Sequence, residues 1–205
     1  MFKKAIGFML GLGLLMAMSV NVLATESPGI SSNDADMFTP LSLERHLISE
    51  FGEEFLNNLE ESRSIADEIW SNFPINRSTG EHIVPEYIAG DYFDEDGNLV
   101  IQLVENAIIP RNMEAVIFNE NVIIKYASYS RTYLHSLSAL IVNKYFENQS
   151  AGIRTNFGVT YLDTINNRIV VELETLNEDE IQHFRDTVSE STAILFVEGE
   201  TVWPS

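Results

Sequence analysis

Residue types able to carry catalysis are present, but their spacing is not that of a catalytic site. His135 stands beside Ser136 and Ser138 on a stretch that reads as helix. Nucleophilic serine chemistry needs a serine on a tight glycine turn, a histidine base, an orienting carboxylate and oxyanion donors. No Gly-x-Ser-x-Gly elbow and no Gly-Asp-Ser-Gly run occurs, and nothing at i+1 or i+3 of a helix builds an oxyanion hole. His46, His82, His135 and His183 are scattered, with no HxH or HxxxH pair to hold a metal. The chain has no cysteine, so thiolate nucleophiles and thiolate zinc sites are excluded. Asp91, Asp94, Glu95 and Asp96 form the acidic cluster that could gather oxygen ligands for calcium or serve an uncharacterised extracellular hydrolase. A calcium loop would need a closing Glu at position twelve. Asp94-Glu95-Asp96-Gly97-Asn98 is instead the composition of a tight turn. Paired carboxylates abound, yet no aromatic platform of the kind a glycosidase uses surrounds them. No glycine-rich phosphate loop is present. The expectation is a protein without catalytic residues, metal or cofactor.

The elements that position these residues read as an α+β protein. Thr39-Pro40 opens a helical segment, 39–73, in which Leu43, Leu47, Phe51, Phe55 and Leu59 recur at every fourth position. It is one amphipathic helix or two in succession, ending before Pro74, and it is expected either to cover a sheet or to stand apart. Two apolar runs, Tyr87–Phe93 and Leu99–Val104, flank the Asp-Gly turn and predict a hairpin. Residues 106–119 read as irregular with room for a short helix. Val122–Tyr126 is a strand, and Ser128 or Ser130 caps a helix with Leu134, Leu137, Ile141 and Tyr145 on its apolar face. Alternating Phe157, Val159, Tyr161 and Ile169, Val171, Leu173 predict a second hairpin. Asn177 caps a helix with Glu180 completing a capping box. Ala193–Val197 is apolar throughout and predicts a central or covered strand. From Val122 the order is strand, helix, strand, strand, helix, strand. That predicts an antiparallel sheet of ferredoxin-like topology, preceded by a hairpin and a long amphipathic helix, with no long internal repeat. The domain itself spans 85–198, and 199–205 form a tail.

The N-terminus reads as a targeting segment. Lys3 and Lys4 precede an apolar run to Val20, and Val22-Leu23-Ala24 ends in small or modest residues, so cleavage is expected between Ala24 and Thr25. Residues 1–24 are therefore a signal peptide, and 25–38, polar and rich in Ser and Asp, a disordered leader. The alternative is an uncleaved anchor, for which the run is short. The chain carries 12 Lys and Arg against 31 Asp and Glu, a net charge of −19. Residues 1–24 hold two of those lysines and no acid, so the chain beyond Ala24 is more acidic still. Such a field repels phosphate backbones and anionic membranes, which excludes nucleic-acid binding as an expectation. No second apolar run of that length occurs, so no membrane role is expected after cleavage. With no cysteine, the setting that fits is a bacterial cell surface or medium.

Three runs occur in a telling order. Tyr87-Ile88-Ala89-Gly90 leads into Asp91-Tyr92-Phe93-Asp94-Glu95-Asp96-Gly97-Asn98-Leu99-Val100-Ile101. Ile124-Lys125-Tyr126-Ala127-Ser128-Tyr129-Ser130-Arg131-Thr132-Tyr133-Leu134 comes next. Asn166-Asn167-Arg168-Ile169-Val170-Val171-Glu172-Leu173 then precedes Asn177-Glu178-Asp179-Glu180-Ile181 and Phe184. Over roughly 85–198 this ordered set resembles the pro-region of secreted bacterial chymotrypsin-like serine proteases, the α-lytic protease and streptogrisin group. The resemblance implies a folding module. In that family the pro-region catalyses folding of the attached protease and then inhibits it, its sheet pairing with a protease hairpin and its tail entering the cleft. No protease sequence follows Ser205, so the expected role is to bind a secreted chymotrypsin-like protease in trans, as inhibitor or folding helper. A degenerate module without a protease partner, a module with another binding role and the extracellular hydrolase named above are the alternatives. The residues that the resemblance marks for the partner are Phe196, Val197, Val202 and Trp203.

Overall fold

A computed structural model describes residues 48–150 and 158–199, without the side chains of 145, 146 and 148–150. Residues 48–51 are helical, Gly52 interrupts at φ 92°, and α1 runs Glu53–Ser71. Of the fourfold series, Leu43 and Leu47 lie outside the described residues, and Phe51 and Phe55 stack across the break at 4.7 Å. Strands β1 (Ile88–Phe93) and β2 (Leu99–Val104) form the first hairpin. Helix α2 (Arg111–Ile117) crosses over to β3 (Val122–Ala127), which lies parallel to β2. Helix α3 (Arg131–Ser150) leads to a second hairpin, β4 (Thr160–Asp163) and β5 (Arg168–Leu173). Helix α4 (Glu178–Thr187) then crosses to β6 (Ile194–Glu198), parallel to β5.

The class is α+β, but the strands do not form one antiparallel sheet of ferredoxin-like topology. They form two three-stranded mixed sheets, ordered β1-β2-β3 and β4-β5-β6. The reason lies in β3. Its core residue Val122 packs with Leu99, Ile101 and Leu103, so the α2 crossover delivers it to the first hairpin rather than to the second. A strand, a crossover helix and a parallel neighbour is the connection a twisted sheet favours. The same logic corrects the placing of Ala193–Val197. Strand β6 is an edge, not a central strand. It is apolar throughout because Ile194 and Phe196 pack into the core while Leu195 lies 47% exposed on the other face.

The topology also contains an internal duplication that the residue pattern alone did not disclose. Each half is hairpin, helix, parallel strand. Leu99↔Val122 in the first half corresponds to Ile169↔Ile194 in the second. Leu99, Ile101 and Leu103 face one core, as Ile169, Val171 and Leu173 face the other. Left-handed residues stand two positions before each of these strands' first core residues: Gly97 at φ 83° and Asn167 at φ 54°.

Helices cover one face of each sheet. Ala66, Ile69 and Phe73 of α1 and its end, with Met113 and Ile117 of α2, bury the first; Leu134, Leu137 and Ile141 of α3, with Phe184 of α4, bury the second. Tyr145 lies among the side chains outside the described set. Helix α1 is therefore the cover of the first sheet and not a free-standing element. Its buried Ser62 hydroxyl accepts the Leu99 N–H at 2.9 Å, and Asn58 Nδ2 donates to Asp96 O at 3.0 Å. The expected caps form: Ser130 Oγ accepts the Tyr133 N–H of α3, and Asn177 Oδ1 accepts the Glu180 N–H of α4.

Gly97 sits where this cover touches the hairpin turn. A Cβ there would lie 2.6 Å from Phe55 O and 3.0 Å from Leu59 N, on a backbone conformation that disfavours a side chain. Gly97→Ala should therefore cost about 2–4 kcal/mol, read as a lower midpoint in urea denaturation. A loss below about 0.5 kcal/mol would mean that α1 does not rest on this turn.

Candidate partner-binding edge

Two of the residues marked for a partner, Phe196 and Val197, lie at one edge of the second sheet. Phe196 and Val197 are neighbours in β6, so their side chains take opposite faces. Phe196 turns into the core, its ring 5.2 Å from Phe184 and under the Arg185 guanidinium at 5.8 Å. Val197 joins Leu195 on the face away from the helices. Across that face Tyr161, Val170 and Leu195 stand in register. Val202 and Trp203, like Ala24 and Thr25, lie outside the described residues.

Backbone geometry matters more at this edge than side chains do. The Ile169 N–H donates to Ala193 O and the Gly199 N–H to Leu173 O. In a parallel pair the bonding residues alternate, so 193, 195, 197 and 199 turn their backbone groups toward β5. Ile194, Phe196 and Glu198 turn theirs outward. The Ile194 N–H is taken by Ser191 O in a turn. The outward groups of Phe196 and Glu198 have no backbone partner among the described residues. Unpaired N–H and C=O groups of this kind template a further strand. Phe196 thus offers its backbone to the edge while its ring anchors the strand beneath. The sequence singles out Phe196 as an expectation but not this division between ring and backbone, which depends on the parallel register.

A polar joint fixes the sheet that bears this edge against the first half. Asn167, buried in the β4–β5 turn, accepts the Tyr129 N–H at Oδ1 (2.9 Å) and donates from Nδ2 to Tyr129 O (2.9 Å). The Arg168 guanidinium lies 4.9 Å from the Tyr129 ring centroid. Tyr129 stacks on Tyr133, and their hydroxyls reach Thr192 and Ser191 just ahead of β6. Gln102 of β2 donates to Ile165 O at 2.9 Å, close to Gly90, where a Cβ would meet both Gln102 Oε1 and Thr164 at 2.9 Å. Ser130 Oγ donates to Glu86 at 2.6 Å.

The acidic cluster divides between this joint and a turn. Asp94 Oδ1 accepts the N–H groups of Asp96 and Asn98, the pattern of an Asx turn. Asp91 instead pairs with Arg131 at 2.8 Å, and Arg131 also stacks on Trp70. Burial pushes the Asp91 carboxyl above the usual range, against the pull of Arg131 and a side-chain hydrogen bond from Trp70. Among the described residues no three His, Asp or Glu are placed to hold a metal. A cavity of about 330 Å³ between the 76–84 loop and α3 is lined by His82, Glu81, Arg131 and His135. Burial and then Arg131 push His135 down. Ser136 and Ser138 ride the same helix.

The joint generates two expected outcomes. Asn167→Ala strands the Tyr129 backbone groups and should cost about 2–4 kcal/mol in chemical denaturation, with Asn167→Gly costing less because glycine tolerates the left-handed backbone. Folded Asp91 keeps its proton to higher pH than the unfolded chain does. Its contribution to stability is therefore fullest below the ordinary carboxylate range and lost as pH rises through the raised value. The Tm of Asp91→Asn relative to wild type should rise between about pH 4 and pH 7, whatever the constant offset from losing the Arg131 pair. A pH-independent difference would count against a half-buried, titrating Asp91.

Comparison with known families is informative at the level of each half. A family model described as Pro-like N-terminal domain matches residues 50–130, and one described as Pro-like C-terminal domain matches residues 133–199. A comparison with curated proteins gives no match. The boundary between the two models falls at the first turn of α3, which divides the duplicated units. Covering 50–199 but for two residues, the paired domains place this chain in the Pro-like family, as a protease pro-region-like protein.

Proposed function

We propose that this is an exported, non-enzymatic module that uses the β6 edge to pair with an extended segment of a protein partner, first of all a secreted chymotrypsin-like protease. Acting in trans, it restrains that protease or helps it fold. The observation that carries this reading is the pair of outward backbone groups at Phe196 and Glu198, without a backbone partner among the described residues, on an edge of the Pro-like C-terminal domain. Main-chain bonds to an added strand supply affinity, and the alternating side chains supply choice. The face formed by Tyr161, Leu195 and Val197 would flank the added strand, and Val202 and Trp203 would follow it toward the partner. The apolar N-terminal run supports export with cleavage between Ala24 and Thr25. A large negative charge favours a partner with a cationic surface.

Residual activity of a chymotrypsin-like protease, titrated with the purified chain, tests the proposal. Slowed hydrolysis at micromolar chain is expected. Glu198→Pro removes one outward N–H while the exposed side chain loses little packing, and should weaken inhibition about tenfold or more. Truncation after Glu198 should weaken it further. Undiminished hydrolysis, with no gain in refolding yield of the denatured protease, would overturn the proposal.

A further inference from the structure

The duplication places β3, like β6, at the edge of its sheet. There the Glu105 N–H donates to Ala127 O, so Ile123, Lys125 and Ala127 turn their backbone groups toward β2. Ile124 and Tyr126 turn theirs outward, as Phe196 and Glu198 do in β6. The likeness extends to the first residue: the Val122 N–H is taken by Asn119 O, three residues back, as the Ile194 N–H is taken by Ser191 O. No backbone partner meets the outer side of Ile124 or Tyr126 among the described residues. Ile123 is 40% and Tyr126 64% exposed, so apolar surface accompanies the open hydrogen-bonding groups.

Charge decides what can lie there. Carboxylates stand at the start of the strand and near its middle. Glu120 precedes it, Glu61 binds Asn121 at its start, and Asp94 stands near Lys125. Lys125 is the strand's single cation, and it is engaged by the Tyr92 hydroxyl at 2.8 Å and lies over that ring. A second copy of this chain would bring the same acidic border against itself, within a net charge of −19. A cationic segment meets the opposite field.

The geometry points to β3 as a second strand-pairing edge, which takes an extended segment of a partner protein with alternating basic and apolar residues. This goes beyond the β6 reading, because the two edges lie in different sheets and can fail separately. Two sites on one chain would also let a single partner be held at two points, with the gain in avidity that linked sites confer.

The test uses the full chain and two capped hexapeptides, one alternating Lys and Val, the other Glu and Val. Backbone hydrogen exchange at Ile124 and Tyr126 should slow with the basic peptide, and binding should weaken with salt. Tyr126→Pro should raise its Kd at this edge about tenfold. Ile123→Lys, a change at an exposed position that needs no backbone alteration, should weaken it in the same direction. Glu198→Pro should leave protection at Ile124 and Tyr126 intact. Equal binding of the acidic peptide, or binding indifferent to both Tyr126→Pro and Ile123→Lys, would overturn the inference. So would concentration-dependent dimerisation abolished by Tyr126→Pro, which would make a second copy the occupant.

Discussion

Asn167 holds both backbone groups of Tyr129 from a left-handed turn, and most of the relation between the two halves depends on that grip. The turn that presents Asn167 also sets Ile165 against Gln102 and Thr164 against Gly90. The residue it grips carries the ring that stacks on Arg168 and Tyr133 and the hydroxyl that reaches Thr192. From Thr192 the chain enters β6. A local conformational choice at one asparagine is thus connected, contact by contact, to the strand that offers its edge to a partner. An asparagine suits the place because it tolerates positive φ and carries both a donor and an acceptor.

Each hairpin turn in this protein is held from outside its own sheet. The first sits beneath α1, with Gly97 leaving room for the helix backbone; the second sits against the first half through Asn167. Turns fixed in this way set hairpin register, and register decides which backbone groups of β3 and β6 face outward. The outward backbone groups of β3 and β6 are consequences of the same topology. They differ in their surroundings, since Glu61 and Glu120 stand at the start of β3, while β6 presents Leu195 and Val197 on one face.

Local structure was legible in the residues. The Asp-Gly hairpin, the caps Ser130 and Asn177, the two hairpins and the apolar stripes all arise from short-range chemistry. Sheet membership was not legible. Whether Val122–Ala127 joins the first or the second hairpin depends on the direction of the α2 crossover, and residues 106–119 give only a short, uncapped helix to read it from. The edge position of Ala193–Val197 was hidden because its apolar run suits a buried strand equally well. The duplication was hidden by a one-residue difference in turn length. Asp94 precedes Gly97 by three positions, whereas Asp163 precedes Asn167 by four. Aligning Leu99-Val100-Ile101-Gln102-Leu103 with Ile169-Val170-Val171-Glu172-Leu173 would have revealed it. Phe196 was singled out at the sequence level, but the roles of its ring and its backbone separate only once the parallel register is known.

Helix α3 packs on β4 and β5 and also reaches β1. It is a wall common to both halves, and neither half can lose it alone. Melting is consequently expected to be cooperative across 48–199, without a stage in which one sheet persists. By mass action, a ligand bound at either edge then stabilises the sheet it does not touch. Occupancy of one edge is thereby felt as resistance of the whole fold to melting, with no change of shape required.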